Sequence, residues 1–231
     1  MLTLMRLARA AAGIVAMNLI LATPGWCEVT DTMRFMREEE KLARDVYATL
    51  YAAWGSQVFD HIAYSEQRHM NAMGRLLATY AIPDPVEETG VDPGVYPDSC
   101  TADECVFLDE KLAGLYVMLM ADGAQSQFAG LLVGGLIEEK DMIDIQAAIE
   151  ETDDEHIRSV YGRLLCGSTN HLRAFARNIE QVSGTAYLDA SKDYIRAAEE
   201  ALQVELRTDA SEDAITEILA SPMRKCGMGN L

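Results

Sequence analysis

Basic residues are scarce in this chain. Its 231 residues include 19 Lys and Arg against 37 Asp and Glu, which gives a formal net charge of −18 at pH 7. Because proteins bind nucleic acids largely through cationic contacts to phosphate, this balance argues against a nucleic-acid partner. The excess of carboxylates can instead draw cations towards the protein.

Convincing β-strands and long apolar runs are also lacking. Aromatic residues make up only 7% of the chain, and no segment alternates in polarity over the length of a strand. No apolar stretch reaches the roughly 20 residues that a membrane-spanning helix needs. The 12 Met residues suit helices that pack irregularly. These features predict an all-α protein without a stable membrane span.

The longest apolar run, AAAGIVAMNLILA, follows Arg6 and Arg9 near the N-terminus. A basic start followed by a short apolar core is typical of a secretory signal peptide. We therefore predict a signal over residues 1–27 and export of the mature protein, to a bacterial periplasm or the extracellular space. An uncleaved anchor is the alternative.

Cysteine is the next sparse residue, with five in the chain. If Cys27 leaves with the signal, the remaining four allow three pairings, and export permits disulfides. Cys100 and Cys105 bracket a short polar loop and are the natural pair, which leaves Cys166 and Cys226 for the second bond. Four residues separate the first pair, and no further Cys or His cluster completes a metal pattern there.

Apolar periodicity predicts four long helices, at about residues 31–54, 58–80, 126–151 and 152–182. Pro83, Pro85, Pro93 and Pro97 interrupt the long connection between the second and third, which contains a short helix at about 107–121. A last helix at about 191–207 and a loosely held tail follow. The prediction is an up-down four-helix bundle over residues 28–190 with a long crossover, and a C-terminal region over residues 191–231.

Each long helix carries a polar residue where its apolar stripe should continue. Carboxylates and imidazoles buried there without partners would cost several kcal/mol each, roughly. A metal ion between the helices would offset that cost, and inward Glu-x-x-His is how carboxylate-bridged two-metal bundles are built. The interrupting residues are Glu39 in the first helix, Glu66 and His69 in the second, Glu138 in the third and His171 in the fourth.

Four segments, FMREEEKLARDVY, IAYSEQRHM, GGLIEEKDMIDI and GSTNHLRAF, together resemble the ferritin-like family called domain of unknown function 2202. The resemblance covers about residues 30–190 and rests on long, specific motifs. More broadly, and only through the sparse ligand pattern, the chain resembles rubrerythrin and other ferritin-like di-iron proteins. The resemblance implies a ferritin-like fold but says almost nothing about the biochemical role.

The broader resemblance implies a ligand set. Glu66 and Glu138 would bridge two metal ions, while Glu39, His69 and His171 would be terminal ligands. Carboxylate oxygens with two imidazoles suit iron or manganese, and zinc is an alternative. No four-cysteine rubredoxin-type site is present, which disfavours a rubrerythrin-type peroxidase.

The pattern departs from the broader family on the fourth helix. A second Glu-x-x-His would place a Glu three residues before His171, and Ser168 stands there. Asp141, one turn after Glu138, could supply the missing carboxylate from the neighbouring helix. The departure leaves open whether two metal ions bind or one.

Several other polar residues are expected to lie outside the site. Glu38, Glu40 and Glu139 are predicted to form a solvated face, and His61 and His156 to be exposed, because they fall away from the main apolar stripes. Arg44 and Arg173 offer a different outcome, a metal-free core in which they neutralise the inward acids.

The leading hypothesis is an exported di-iron protein that reacts with dioxygen or peroxide, as a ferroxidase or a peroxide-reducing oxidoreductase; whether it is an enzyme at all stays open. One alternative is a non-enzymatic helical bundle that binds a protein partner and whose polar core sets the helix register. Another is a metal-dependent hydrolase-like site, for which no nucleophile is visible. Metal ions are the expected partners, and a homodimer is an open possibility.

Overall fold

The structure is a computed structural model that describes residues 24–92 and 105–226, and within those ranges it is made of α-helices without a β-strand. This confirms the predicted all-α class. In chain order the helices are α1 (Pro24–Trp54), α2 (Gln57–Thr79), α3 (Pro85–Glu88), α4 (Glu110–Gly123), α5 (Gln127–Glu150), α6 (Glu155–Ser183), α7 (Tyr187–Leu202) and α8 (Asp209–Ala220).

The core is a bundle of four long helices arranged as two antiparallel hairpins. Helix α1 packs along α2 and α5 along α6, and the hairpins meet where α2 contacts α6 and α1 contacts α5. Gly55 turns the first hairpin with a φ of 64°, a left-handed conformation that glycine adopts without steric cost. The connection between the hairpins carries α4, which confirms the short helix predicted for the crossover, and also α3, which was not predicted because Pro85 was expected to prevent regular structure but stands in the first turn of α3.

Local sequence signals determine where several helices begin and end. The side chains of Asp109, Ser126 and Asp154 each accept hydrogen bonds from backbone N–H groups in the first turns of α4, α5 and α6. These bonds satisfy donors that a helix start leaves unpaired. Gly184, with a φ of 70°, ends α6 in the usual left-handed manner.

The first helix starts earlier than its apolar pattern predicts, at Pro24 rather than near Asp31. Residues 1–23 lie outside the described part of the chain, so the signal peptide remains a prediction. Cys27 lies on α1 and is exposed and unpaired. Within the described residues, no helix has both the length and the apolarity to span a membrane.

The C-terminal region is more ordered than the sequence predicts. Its first helix is α7, at 187–202 rather than 191–207, and the segment taken for a loose tail contains α8. Thr208 and Ser211 form a capping box at the start of α8, and Ile215 is buried against the bundle. The expectation of a loose tail is therefore wrong, because a short amphipathic helix packs there.

A disulfide joins Cys166 on α6 to Cys226 after α8, with the two Cα atoms 5.5 Å apart. This confirms the second predicted pair. Cys100 lies outside the described residues, so its bond to Cys105 stays a prediction.

Candidate metal centre

All four long helices contribute polar side chains to one buried cluster. Each of these residues is at most 8% exposed. The members are Glu40 from α1, Glu66 and His69 from α2, Glu138 and Asp141 from α5, and His171 from α6.

Glu66 lies between the two imidazoles. Its Oε2 is 2.8 Å from His69 Nδ1 and its Oε1 is 2.6 Å from His171 Nδ1. The rings are stacked, with centroids 5.3 Å apart. One ligand atom from each of these residues lies within 4.8 Å of the others. The predicted Glu-x-x-His and the distant His171 are thus brought together.

The first helix places Glu40, rather than Glu39, beside an imidazole. Glu40 Oε2 is 3.2 Å from His69 Nδ1. Glu39 Oε1 instead accepts a hydrogen bond from Lys140 Nζ at 2.8 Å, and Lys140 also pairs with Asp144. The other oxygen of Glu39 is buried without a hydrogen-bond partner. Sequence reasoning missed Glu40 because the apolar stripe of the first helix passes through Glu39, and Glu40 falls away from that stripe.

On the opposite side of the cluster, two hydroxyl groups hold carboxylates of α5. Tyr47 donates to Glu138 Oε1 at 2.7 Å, and Glu138 Oε2 is 3.4 Å from His171 Nδ1. Ser168 Oγ is 2.5 Å from Asp141 Oδ2. Ser168 therefore stands where a second Glu was expected, and the carboxylate that reaches its neighbourhood comes from α5.

Two glycines make room for the cluster. A Cβ atom at Gly167 would lie 2.4 Å from His69 Nε2, so α6 can approach the imidazole only without a side chain there. A Cβ at Gly134 would lie 2.4 Å from the ring of Phe175, which packs on Tyr47 with centroids 5.1 Å apart. These glycines are a signal that sequence reasoning did not use.

The cluster contains more buried polar atoms than the protein itself satisfies. Glu66 Oε1 and His171 Nδ1 form a 2.6 Å ion pair, although this contact lacks the geometry of a hydrogen bond. When His171 loses its proton, both atoms are acceptors, and a shared cation would bind both. The atoms without a hydrogen bond in and beside the cluster are Glu39 Oε2, Glu40 Oε1, Glu66 Oε1, His69 Nε2, Asp141 Oδ1 and His171 Nδ1.

Crowding of carboxylates shifts the acid–base equilibria of the site. Burial raises the pKa of Glu39 to about 8 and that of Glu40 to about 7. Burial and the neighbouring carboxylates also raise the pKa of Asp141 well above its usual range, and burial raises that of Glu138. Without added positive charge, these groups retain protons that solvated carboxylates would have lost.

Glu66 shifts the other way. Although burial opposes it, the charges of His171 and His69 hold the pKa of the Glu66 carboxyl well below its usual range. Burial likewise opposes ionisation of His171, but Glu66 and Glu138 raise its pKa to about 9. In the metal-free protein, Glu66 is therefore the ionised carboxylate of the cluster and the imidazoles are its counter-charges.

Among the described residues, the arginines proposed for a salt-bridged core form no ion pair with the carboxylates of the cluster. Arg44 pairs with Asp45 and Gln67, and Arg173 donates to the Ile218 carbonyl and to Asn170. Within the described residues, Lys140 is the cation closest to this role, and it contacts Glu39 at the margin. The donor set fits a metal ion better than an internal salt bridge.

The solvated face predicted for Glu38, Glu40 and Glu139 is wrong, because all three are at most 3% exposed. Glu38 accepts hydrogen bonds from two backbone N–H groups just before α4, at 2.6 and 3.1 Å. Glu139 pairs with Arg207 at 2.6 Å and accepts from Tyr187. The crossover covers Glu38 and the C-terminal region covers Glu139, whereas Glu40 lies beside His69 in the buried cluster.

His61 and His156, by contrast, are exposed as predicted.

The fold and the site define an all-α bundle with a buried carboxylate–histidine cluster. A family model described as "Uncharacterized protein domain (DUF2202)" matches residues 29–199, and the chain belongs to that family.

One relative, the uncharacterized protein MJ0754 of Methanocaldococcus jannaschii, is 46% identical over 142 residues, which is 62% of this chain and 70% of that protein. The crystal structure of hypothetical protein MJ0754 from Methanococcus jannaschii matches with a TM-score of 0.67 at 37% identity, over 84% of this chain and 93% of that one.

Proposed function

We propose that the buried cluster is a ferritin-like, carboxylate-bridged two-metal centre. The observation that carries the proposal is the convergence of buried ligand atoms from four helices, several of which form no hydrogen bond, such as Glu40 Oε1, His69 Nε2 and Asp141 Oδ1. Iron suits a set of carboxylate oxygens and imidazoles, and manganese or zinc would fit the same donors. The ligands would be Glu40, Glu66, His69, Glu138 and His171, with Asp141 and Glu39 as further candidates.

Charge balance supports two ions rather than one. Glu40, Glu66, Glu138 and Asp141 would carry four negative charges if fully ionised, which two divalent cations would neutralise. Glu39 is already balanced by Lys140 at 2.8 Å. An uncompensated buried charge is costly, and the raised carboxyl pKa values express that cost in the metal-free protein.

Bound iron would supply electrons for reaction with dioxygen or peroxide, so the proposed activity is that of a ferroxidase or a related oxidoreductase. The residues of the chain prepare the site for this chemistry. Tyr47 keeps a proton on its hydroxyl oxygen, directed at Glu138, and burial raises its pKa well above the usual range. Phe175 packs on this tyrosine, and Phe59 packs on Phe175, so apolar rings adjoin the tyrosine in the buried core.

Export is part of the proposal. The basic and apolar N-terminal segment, together with the Cys166–Cys226 disulfide, supports an oxidising compartment such as a periplasm.

The proposal is tested by metal content and oxygen chemistry. Purified protein stripped with a chelator is reloaded anaerobically with ferrous iron, and bound iron is counted by elemental analysis. We expect two ions per chain and oxygen consumption on exposure to air. In a Glu66→Gln variant we expect both iron binding and oxygen consumption to be lost. Glu200→Gln, an exposed position on α7, serves as the matched control.

Identical melting curves with and without ferrous or manganous ion would overturn the metal centre and leave a non-enzymatic, partner-binding bundle. Two bound ions without oxygen consumption would overturn the catalytic part of the proposal alone.

A further inference from the structure

A cleft of about 580 Å³ lies between α2 and α6, beside the buried cluster. His171 forms part of its wall and is 8% exposed. The Nδ1 atom of His171 faces Glu66, so another edge of the same ring faces the cleft. A molecule bound in the cleft would therefore contact His171 without displacing the buried carboxylates.

The charge of this cleft is opposite to that of the protein. Among the described residues, no Asp or Glu lines it, whereas Arg68 and His61 do. Arg68 is exposed, and none of the ion pairs formed by the described residues includes it. In a chain of net charge −18, such a cleft favours an anion over a cation.

The remaining lining consists of apolar side chains, and one side of it is a C-terminal segment that is fixed to α6. Ile62 and Met223 supply apolar surface. The segment that carries Met223 is fixed to α6, because Asn170 donates to the Arg224 carbonyl at 2.9 Å and accepts from its N–H at 3.1 Å. The disulfide to Cys226 secures the same segment. The cleft is therefore pre-formed, as small-molecule sites usually are.

We propose that this cleft binds a small organic anion, a carboxylate with a short apolar body. Arg68 holds the carboxylate, because a guanidinium matches its two oxygens. Ile62 and Met223 contact the apolar part, and the bound molecule rests against the His171 ring. The proposal rests on the residues of the cleft and does not depend on the metal centre.

Benzoate and its neutral analogue benzamide are suitable probes, because they match in size and differ in charge. Each is titrated into metal-free full-length protein and followed by calorimetry and by NMR. We expect benzoate to bind with a Kd of about 1 mM or tighter, and benzamide at least about tenfold more weakly. Arg68→Gln should weaken benzoate binding about 10- to 100-fold, the usual value of a charge-assisted hydrogen bond, and leave benzamide unchanged.

Arg75→Gln is the matched control, because Arg75 is exposed on the same helix and does not line the cleft. The proposal is overturned if benzoate and benzamide bind alike, if Arg68→Gln binds benzoate as the parent does, or if neither probe binds. Iron content is measured on the same samples. If benzoate fails to bind as expected while iron still binds, the cleft proposal alone is rejected. If benzoate binds as expected and iron does not bind, the metal centre alone is rejected.

Discussion

Replacing Glu40 by Gln should change stability in opposite directions with and without metal. In the metal-free protein, burial raises the pKa of Glu40 from 4.5 to about 7. When the pKa of a carboxyl is higher in the folded than in the unfolded protein, the free energy of unfolding falls as pH rises from the unfolded pKa to the folded pKa. The reason is that the unfolded state releases its proton first. At pH 8 the full penalty corresponds to about 3 kcal/mol, and at pH 4 it vanishes.

Glutamine has nearly the same shape and no proton to lose. The metal-free Glu40→Gln variant should therefore match the parent at pH 4 and exceed its stability at pH 8 by up to about 3 kcal/mol. The lost attraction to His69, 3.2 Å away, makes that figure an upper value. With metal bound the sign reverses, because an amide is a poorer ligand than a carboxylate for iron or manganese.

The assay is urea unfolding at pH 4, 6 and 8, in chelator and in excess manganous ion. Asp31→Asn, an exposed change on the same helix, controls for the lost formal charge and should show neither effect. A Glu40→Gln variant that shifts stability in the same direction under both conditions would refute a ligand role for Glu40. If Glu39→Gln loses metal affinity and Glu40→Gln keeps it, the metal ligand of α1 is Glu39, as the sequence predicts.

Three further predictions follow from packing and covalent structure. Gly167→Ala should lower stability by about 1–3 kcal/mol and weaken metal binding, since the added Cβ meets an imidazole at 2.4 Å. Gly162→Ala, with open space at its Cβ, should instead raise the melting temperature. Replacing both cysteines of the Cys166–Cys226 bond, 60 residues apart, should cost about 4 kcal/mol in chemical unfolding; an unchanged midpoint contradicts this. Arg207→Ala strands the buried Glu139 carboxylate and should cost about 3–5 kcal/mol, whereas equal hydrogen-exchange protection of α7 in variant and parent would argue against it.

The sequence by itself determined the four long helices and the two-residue motif on α2. An α-helix turns once in about 3.6 residues, so Glu66 and His69 share a face wherever that helix packs. Ser126 and Gly184 likewise act within one turn of themselves. Such features depend on local geometry, and they were predictable for that reason.

The choice among Glu38, Glu39 and Glu40 was decided by tertiary structure. Consecutive helical positions are about 100° apart, so three in a row span about 200°, more than half of the helix circumference, and the pattern alone does not fix which one faces the core. Glu38 is buried by backbone groups before α4, and Glu39 by Lys140 of α5. Neither neighbour is visible in the periodicity of α1, because each arrives from a distant part of the chain.

The pairing of Ser168 with Asp141 is the clearest case of a contact between distant parts of the chain that helical periodicity does not reveal. The sequence identified Asp141 as a substitute for a missing Glu, but not the 2.5 Å contact that it makes with Ser168. That distance depends on how closely α5 and α6 approach and how each is rotated. The approach is set by close contacts such as the Phe175 ring over Gly134. Interhelical packing is a property of two surfaces together, so only the tertiary structure could determine it.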